Sequence, residues 1–288
     1  MIDIILMGIF VGAVYGLIGL GLSLIFTGIR NNMNIMHGQM ALLGSYFAFT
    51  ASTFLGIDPL LSLIIVLPVA FCVGFILQYT LLNRVVLEPP TYILTTVGIS
   101  LVIENSILII YGPDLKSLTP YTADFVKTFT SFASDLRIPN VYIIDFVTAV
   151  IAMMLIFVFL KYTYMGRAIR ATSQDHVAAN LLGVNDRKIY ATTFGIGSSL
   201  AALGGFFAGL TYAFEPFYGP LYLSLALAVM ILGGLGSIRG AVVGGIIIGL
   251  IQAVVSYLLG ITWAQLASNA VTLIFLAFKP EGIFGYRV

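Results

Sequence analysis

Charge is what this 288-residue chain has least of: Asp, Glu, Lys and Arg make up 9% of it, where a soluble domain carries roughly 25%. A surface facing water on all sides cannot be built from so little, because the apolar remainder would aggregate. Lys and Arg number 13 against 12 Asp and Glu, and no basic tract occurs. The phosphate neutralisation on which nucleic-acid binding rests therefore has no source. Cysteine is limited to Cys72, inside an apolar run, which removes a disulfide framework and a cysteine metal site. The two histidines, His37 and His176, stand too far apart for a local metal motif, and no metal is expected. No G-x-x-x-x-G-K-[ST], H-E-x-x-H or G-x-S-x-G is present, so neither a nucleotide site nor a catalytic residue is expected on this chain. The opening Met-Ile-Asp-Ile-Ile lacks the basic stretch of a cleavable signal peptide. Its first apolar segment is expected to remain as a membrane span.

What is present is apolar: 60% of residues, with a mean hydropathy of +1.07. A helix crossing the hydrocarbon core needs about 20 such residues. Stretches 4–29, 31–57, 59–83, 189–214, 216–238 and 240–278 contain no Asp, Glu, Lys or Arg. The last is long enough for two helices turning at Gly260-Ile261-Thr262. Segments 91–111 and 142–160 add two more, and the alternation of a β-barrel is missing. The expectation is an all-α polytopic membrane protein with about nine transmembrane helices, in a range of eight to ten.

Orientation follows from the bias of Lys and Arg in short loops. Residues 161–190 hold Lys161, Arg167, Arg170, Arg187 and Lys188 against Asp175 and Asp186. Residues 112–145 hold Lys116, Lys127 and Arg137 against Asp114, Asp124, Asp135 and Asp145. The first loop reads as cytoplasmic. The second, about 112–141 with room for a short helix or hairpin, reads as external. An odd helix count with the N-terminus out and the C-terminus in then places Arg30, Arg84, Arg239, Lys279 and Arg287 inside, and Asp3, Asp58 and Glu215 outside.

Three features stand out within the spans. Gly8, Gly12 and Gly16 are spaced by four, as are Gly236, Gly240 and Gly244, and separately Gly205/Gly209 and Gly245/Gly249. That spacing lines small residues along one helix face and lets backbones approach closely where lipid gives no hydrophobic drive to pack. It serves either packing inside one bundle or a sliding subunit interface. The run from Arg30 to Gln39 sets Asn31, Asn32, Asn34, His37 and Gln39 between two apolar helices. Backbone broken at membrane depth is tolerated where it lines protein or water, and transporters use such breaks to face substrate. A solvent-wetted loop is the plainer account. Third, Glu104-Asn105 interrupts segment 91–111. An ionisable group in a span costs at least a few kcal/mol and usually faces a cavity or partner. Thr95, Thr96 and Ser100 share that helix. Asn34, His37, Gln39, Thr95, Thr96, Glu104 and Asn105 are therefore the candidate pathway-lining residues, with His37 as readily a hydrogen-bonded structural residue.

The loop at 161–190 carries the most specific pattern. Ser173 can N-cap a short helix from Gln174 to Leu182, with Asp175 in its first turn and Gly183 just past its end. Val177, Leu181 and Leu182 give it an apolar face on an element too short to span, so it should dock onto something in the cytosol. Ala178-Ala179-x-x-x-Gly183 resembles the core of the coupling loop of ABC importer permeases. Val177 departs from the Glu that many such permeases have there. The preceding Gly166-Arg167-Ala168-Ile169-Arg170-Ala171 resembles the branched-chain amino acid permease group in particular. So do Asn34-Ile35-Met36-His37-Gly38 and Gly233-Gly234-Leu235-Gly236-Ser237-Ile238-x-Gly240. Ile35-Met36 departs from the Phe-Ala usual in the first of these. The likeness covers nearly the whole chain, and the length fits the shorter, LivH-type subunit.

The resemblance implies a single transmembrane permease domain over 1–288 in the cytoplasmic (inner) membrane of a prokaryote. It implies a second, longer permease subunit, two cytoplasmic ABC ATPases and an external solute-binding protein as partners. ATP and Mg would be bound by the ATPases, with no cofactor on this chain. Ser173, Asp175, Val177, Ala178, Ala179, Leu182 and Gly183 would couple it to an ATPase. The solute would be a branched-chain or other neutral amino acid, with urea or short amides as the alternative. A gradient-driven secondary transporter would show broken helices too, but would be expected to carry more intramembrane carboxylates than Glu104.

Overall fold

The computed structural model describes residues 2–133 and 136–284. A 27-residue helix, α1 (Ile2–Gly28), is followed by α2 (His37–Leu55), α3 (Pro59–Thr80) and α4 (Pro89–Tyr111). Next come a short α5 (Asp124–Lys127) and a hairpin of β1 (Phe129–Ala133) and β2 (Leu136–Pro139), paired antiparallel with a bulge at Ser131/Ala133. Then α6 (Asn140–Tyr162) leads through α7 (Tyr164–Gln174) and α8 (His176–Leu181) into α9 (Asp186–Thr211). The chain closes with α10 (Gly219–Gly233), α11 (Ile238–Leu259) and α12 (Ile261–Phe278).

Local signals set these boundaries. Asp58 caps α3, its Oδ1 accepting from the Leu60 amide at 2.8 Å, with Pro59 in the first turn, where the absent N–H is no loss. Ser237 caps α11 by accepting from the Gly240 amide at 3.0 Å. Gly56 ends α2 at φ 64°, a left-handed backbone that glycine adopts without strain.

Eight helices are long and apolar enough to cross a membrane by length and composition. The long helix outside that set is α2, whose 19 residues carry no charge but include His37, Gln39 and several hydroxyls. Most of it is packed into the interior, so its polar side chains other than Thr53 are buried or half-buried. The molecule is an all-α polytopic membrane protein with one small hairpin.

Hydrogen bonds between links sort the helix ends into two sets. Asn32 Nδ2 donates to the Val86 carbonyl at 2.9 Å and Asn83 Nδ2 to that of Arg187 at 3.1 Å, joining the α1–α2, α3–α4 and α8–α9 links at one end. At the other end, the Ala123 amide donates to Asp58 Oδ2 at 2.8 Å, and Lys116 pairs with Phe214 through backbone bonds. Asp145, counted above among loop charges, lies in the second turn of α6 and is 2% exposed. Without it the 112–141 loop is balanced, three cations against three anions, while 161–190 keeps its surplus.

Helix α9 is the axis of the bundle: 89% of its most apolar stretch is buried, against α1, α2 and α3. Helix α4 is the opposite case at 11%. The glycines explain how the interior closes. Gly8, Gly12 and Gly16 face Gly249, Gly245 and Ala241, so α1 and α11 meet backbone to backbone. Gly240 and Gly244 meet Gly233 and Val229 of α10 in the same way. These stripes pack inside one chain. Gly236 departs from the expected stripe: it sits in the α10–α11 turn at φ 78°, against Thr27. A spacing of four marks one face only while the helix is unbroken, and this helix ends at Gly233.

Candidate functional site

The polar run of residues 29–36 is a broken connection between α1 and α2. Arg30 and Asn31 are both left-handed, at φ 55° and 57°, although neither is glycine. Such residues persist where surroundings hold them, at about 1–2 kcal/mol each. Here hydrogen bonds within the connection and from it to α4 and the α3–α4 link do the holding. The Ile35 amide donates to Thr96 Oγ1 of α4 at 3.3 Å, and the Met36 amide to Asn34 Oδ1 at 3.2 Å. Gln39, in the first turn of α2, donates through Nε2 to Glu104 Oε2 at 2.7 Å. The one carboxylate of α4 is thus met by an amide from a helix 65 positions earlier, and Gly219 leaves room for that amide because any Cβ there would collide with it.

His37 points the other way. It is fully buried, its Nε2 lies 2.9 Å from the Ile18 carbonyl, and it pins α2 onto α1. Four polar atoms around this connection are buried without a hydrogen-bond partner among the described residues: Asn32 Oδ1, Asn34 Nδ2, His37 Nδ1 and Gln39 Oε1. A buried polar atom left unpaired costs about 1–3 kcal/mol, so these four are open to water or a partner that the described residues do not supply.

On α4 the candidate residues diverge. Thr96 is buried, Thr95 and Glu104 are half-buried, and Asn105 and Ser106 are exposed. Asn105 Nδ2 turns back to the Leu101 carbonyl at 2.8 Å, and Ser106 to that of Val102 at 2.6 Å. These polar groups sit on a helix that its own chain scarcely covers.

At the end of the bundle bearing Arg30 and Arg84, α7 and α8 form a bent pair. Thr163 caps α7. The α8 cap is Asp175, whose Oδ1 accepts from the Val177 and Ala178 amides at 2.9 and 3.0 Å. The expected Ser173 cap is not formed: Ser173 lies inside α7, and its hydroxyl donates to the Arg170 carbonyl. Both residues are good caps, and Asp175, which directly precedes the short helix, takes the amides. Gly183 closes α8 at φ 85°, the Val184 amide reaching back to the Ala179 carbonyl at 3.1 Å. Ala179 packs inward, while Val177, Leu181 and Leu182 are 56%, 84% and 85% exposed.

Sequence reasoning missed two groupings, because each is assembled from distant elements. Asp145 Oδ2 accepts from Thr211 at 2.7 Å, and its Oδ1 is buried and unpartnered. Tyr15, Tyr142, Tyr212, Tyr218 and Tyr222 gather around one cleft. No group of His, Cys, Asp and Glu among the described residues could hold a metal ion.

The family model described as branched-chain amino acid transport system / permease component matches residues 4–278. The chain is similar to the high-affinity branched-chain amino acid transport system permease protein BraD of Pseudomonas aeruginosa, 30% identical over 96% of this chain and 94% of that one. It is similar also to LivH of Escherichia coli, a permease protein of the same description, at 29% over 96% and 93%. Among solved structures it shares a fold with a chain of PsaBC from Streptococcus pneumoniae in complex with Fab, at a TM-score of 0.51 and 16% identity, covering 98% of this chain and 92% of that one. The match along nearly the whole chain, on a bundle with a broken helix connection and a capped surface helix, places this protein in the branched-chain amino acid transport permease family.

Proposed function

We propose that the chain is one permease subunit of an ATP-driven importer of branched-chain or other neutral amino acids, working in the inner membrane of a prokaryote. The relatives BraD and LivH are named for branched-chain amino acid transport, which supports the solute class. Arg30, Arg84, Arg187 and Lys188 crowd the bundle end that carries α7 and α8, and the positive-inside rule assigns that end to the cytoplasm. The N-terminus then lies outside and the C-terminus inside.

The observation that carries the reading is α8. Three large apolar side chains stand exposed on a helix capped at both ends, where only water or a partner could meet them. A cytoplasmic ATPase, which would hold the ATP and Mg, covers this face and drives it. The second, longer permease covers α4, so that the Gln39–Glu104 pair and the polar atoms of Asn32 and Asn34 come to line the path between the two subunits, with His37 holding α2 on α1 behind them. An external solute-binding protein delivers the amino acid to the end bearing the hairpin. A path with one half-buried carboxylate and many amides and hydroxyls offers a zwitterion hydrogen bonds without a deep electrostatic trap.

The test is the assembled transporter in proteoliposomes. Replacing Leu181 and Leu182 with Ser removes apolar contact without breaking α8. Leucine uptake and transport-linked ATP hydrolysis should both fall, with the permeases still inserted. Full coupled uptake in that variant would overturn the α8 assignment, and urea carried in preference to leucine would overturn the solute.

A further inference from the structure

A cleft of about 730 Å³ opens between α1, α10, α11 and α12. Helix α10 stands between it and Gln39, with Gly219 and Leu223 against α2 and with Tyr218, Leu221 and Tyr222 lining the cleft. It starts at the helix ends, by Ile4, Ala213 and Ile261, and reaches Tyr15, three turns into α1. These ends belong to the set opposite α7 and α8, and the volume lies within the range of about 300–1,000 Å³ usual for small-molecule sites.

A chain of side-chain hydrogen bonds crosses its floor and ties all four helices. Tyr15 donates to Gln252 Oε1 at 2.8 Å, and Gln252 Nε2 to Gln265 Oε1 at 3.2 Å. Gln265 Nε2 donates to Ser224 Oγ at 3.4 Å, and Ser224 to Asn269 Oδ1 at 3.0 Å. A primary amide has two N–H donors, and each glutamine spends one in this chain. Two donors therefore remain unused among the described residues. The Tyr222 and Ser256 hydroxyls, which also line it, make no hydrogen bond among the described residues. Polar groups meant only to hold membrane helices together are normally consumed by their partners. These keep capacity in reserve beside an open volume.

The lining includes no Asp, Glu, Lys, Arg or His. Asp145 lies behind the lining, acting on Tyr142 and Tyr212 and bonded to Thr211, but no side chain that lines the cleft carries a charge. Such a lining at membrane depth disfavours ions and the separated charges of a zwitterion. It accepts an apolar body against the tyrosine rings and one amide-like or hydroxyl group against the glutamines. The geometry points to a second binding site, reached from the outer face, for an uncharged, partly apolar molecule bearing a hydrogen-bonding head. It is separate from the path proposed for the amino acid, and its occupant would wedge α1 against α10–α12. The assignment of its outer opening rests on the orientation proposed above; the chemistry of the cleft does not.

The probe is benzamide: one planar ring, one amide, no charge. In the assembled transporter in right-side-out vesicles, Cys72 is first replaced by Ala. Ser256→Cys or, as a second reporter near the mouth, Thr262→Cys is then labelled with a membrane-impermeant sulfonated methanethiosulfonate. Labelling from outside is expected, and benzamide at ten times its half-effect concentration should slow it about elevenfold, the factor 1 + [L]/Kd. Leucine should leave the rate unchanged, and Gln252→Leu should abolish protection while preserving labelling. Three results would overturn the site, and a fourth only its orientation. Labelling that benzamide never slows means water alone. Reaction only with a membrane-soluble maleimide means lipid tails fill the cleft. Protection by leucine means the cleft belongs to the cargo path. Labelling by the impermeant reagent only in inside-out vesicles reverses the orientation while benzamide protection still stands.

Discussion

Gly245→Ala should loosen the bundle where α1 crosses α11. An ideal Cβ on Gly245 falls 2.5 Å from the Gly12 carbonyl oxygen, 2.5 Å from Gly16 Cα and 2.6 Å from Gly16 N. All three are backbone atoms, so no rotamer change relieves them. Ordinary carbon contacts begin at about 3.5 Å, so α1 and α11 would have to part by about 1 Å. Parting at one point separates the flanking Gly8–Gly249 and Gly16–Ala241 contacts as well. Overpacking of this kind costs about 1–3 kcal/mol. A loss of 2 kcal/mol corresponds to a fall of roughly 4–8 °C in the melting temperature of a domain of 150–250 residues. The assay is thermal unfolding of the purified transporter in mild detergent, followed by the soluble monodisperse fraction. Gly98→Ala is the matched control, because a Cβ there meets nothing within 4 Å and alanine is the better helix former. Equal melting temperatures for Gly245→Ala and the unsubstituted protein would refute the claim that backbone contact sets this crossing.

Other substitutions separate the proposed roles. Glu104→Ala strips Gln39 of its partner and should lower uptake and stability, by about 1–3 kcal/mol in the latter, while Glu104→Gln keeps an acceptor and should spare stability but not uptake kinetics; unaltered kinetics in both would return the pair to scaffolding. Asp58→Ala loses the α3 cap and the bond to the Ala123 amide together, and should lower melting by more than Ser237→Ala, which removes a cap alone. Gly183→Val places a β-branched residue at φ 85° and should uncouple ATP hydrolysis from uptake, whereas Gly183→Asn, which tolerates that backbone, should retain most coupling. Identical hydrolysis and uptake in both Gly183 variants would count against the α8 turn as the coupling element.

Much of this was legible in the sequence, and the reasons differ by feature. The spans follow from runs without charge, and the break at 29–36 from asparagines between two such runs. The Gly8/Gly12/Gly16 stripe shows its spacing in sequence but not its partner, since Gly245 and Gly249 lie on a helix over 230 positions away. Gly236 misled because a spacing of four does not announce a turn in its midst. Asp175 displaced Ser173 as the α8 cap because two capable residues lay two positions apart, and only the start of the helix decides between them. The Gln39–Glu104 bond, the Asp145–Thr211 bond and the tyrosine cleft join residues more than 60 positions apart. Local periodicity contains nothing about them.

The pairing of α1 with α11 also bears on how the protein is made. Gly12 leaves the ribosome 233 residues before Gly245. At about 5–20 residues per second, α1 waits roughly 10–50 s in the bilayer before the surface it fits exists. For that interval its glycine face is turned to lipid or to whatever the insertion machinery supplies, and the helices made between must leave a slot open. The last-but-one helix is therefore the keystone of assembly. A ribosome stalled after α10 would leave a chain with nearly all its spans inserted and its first helix still unclasped.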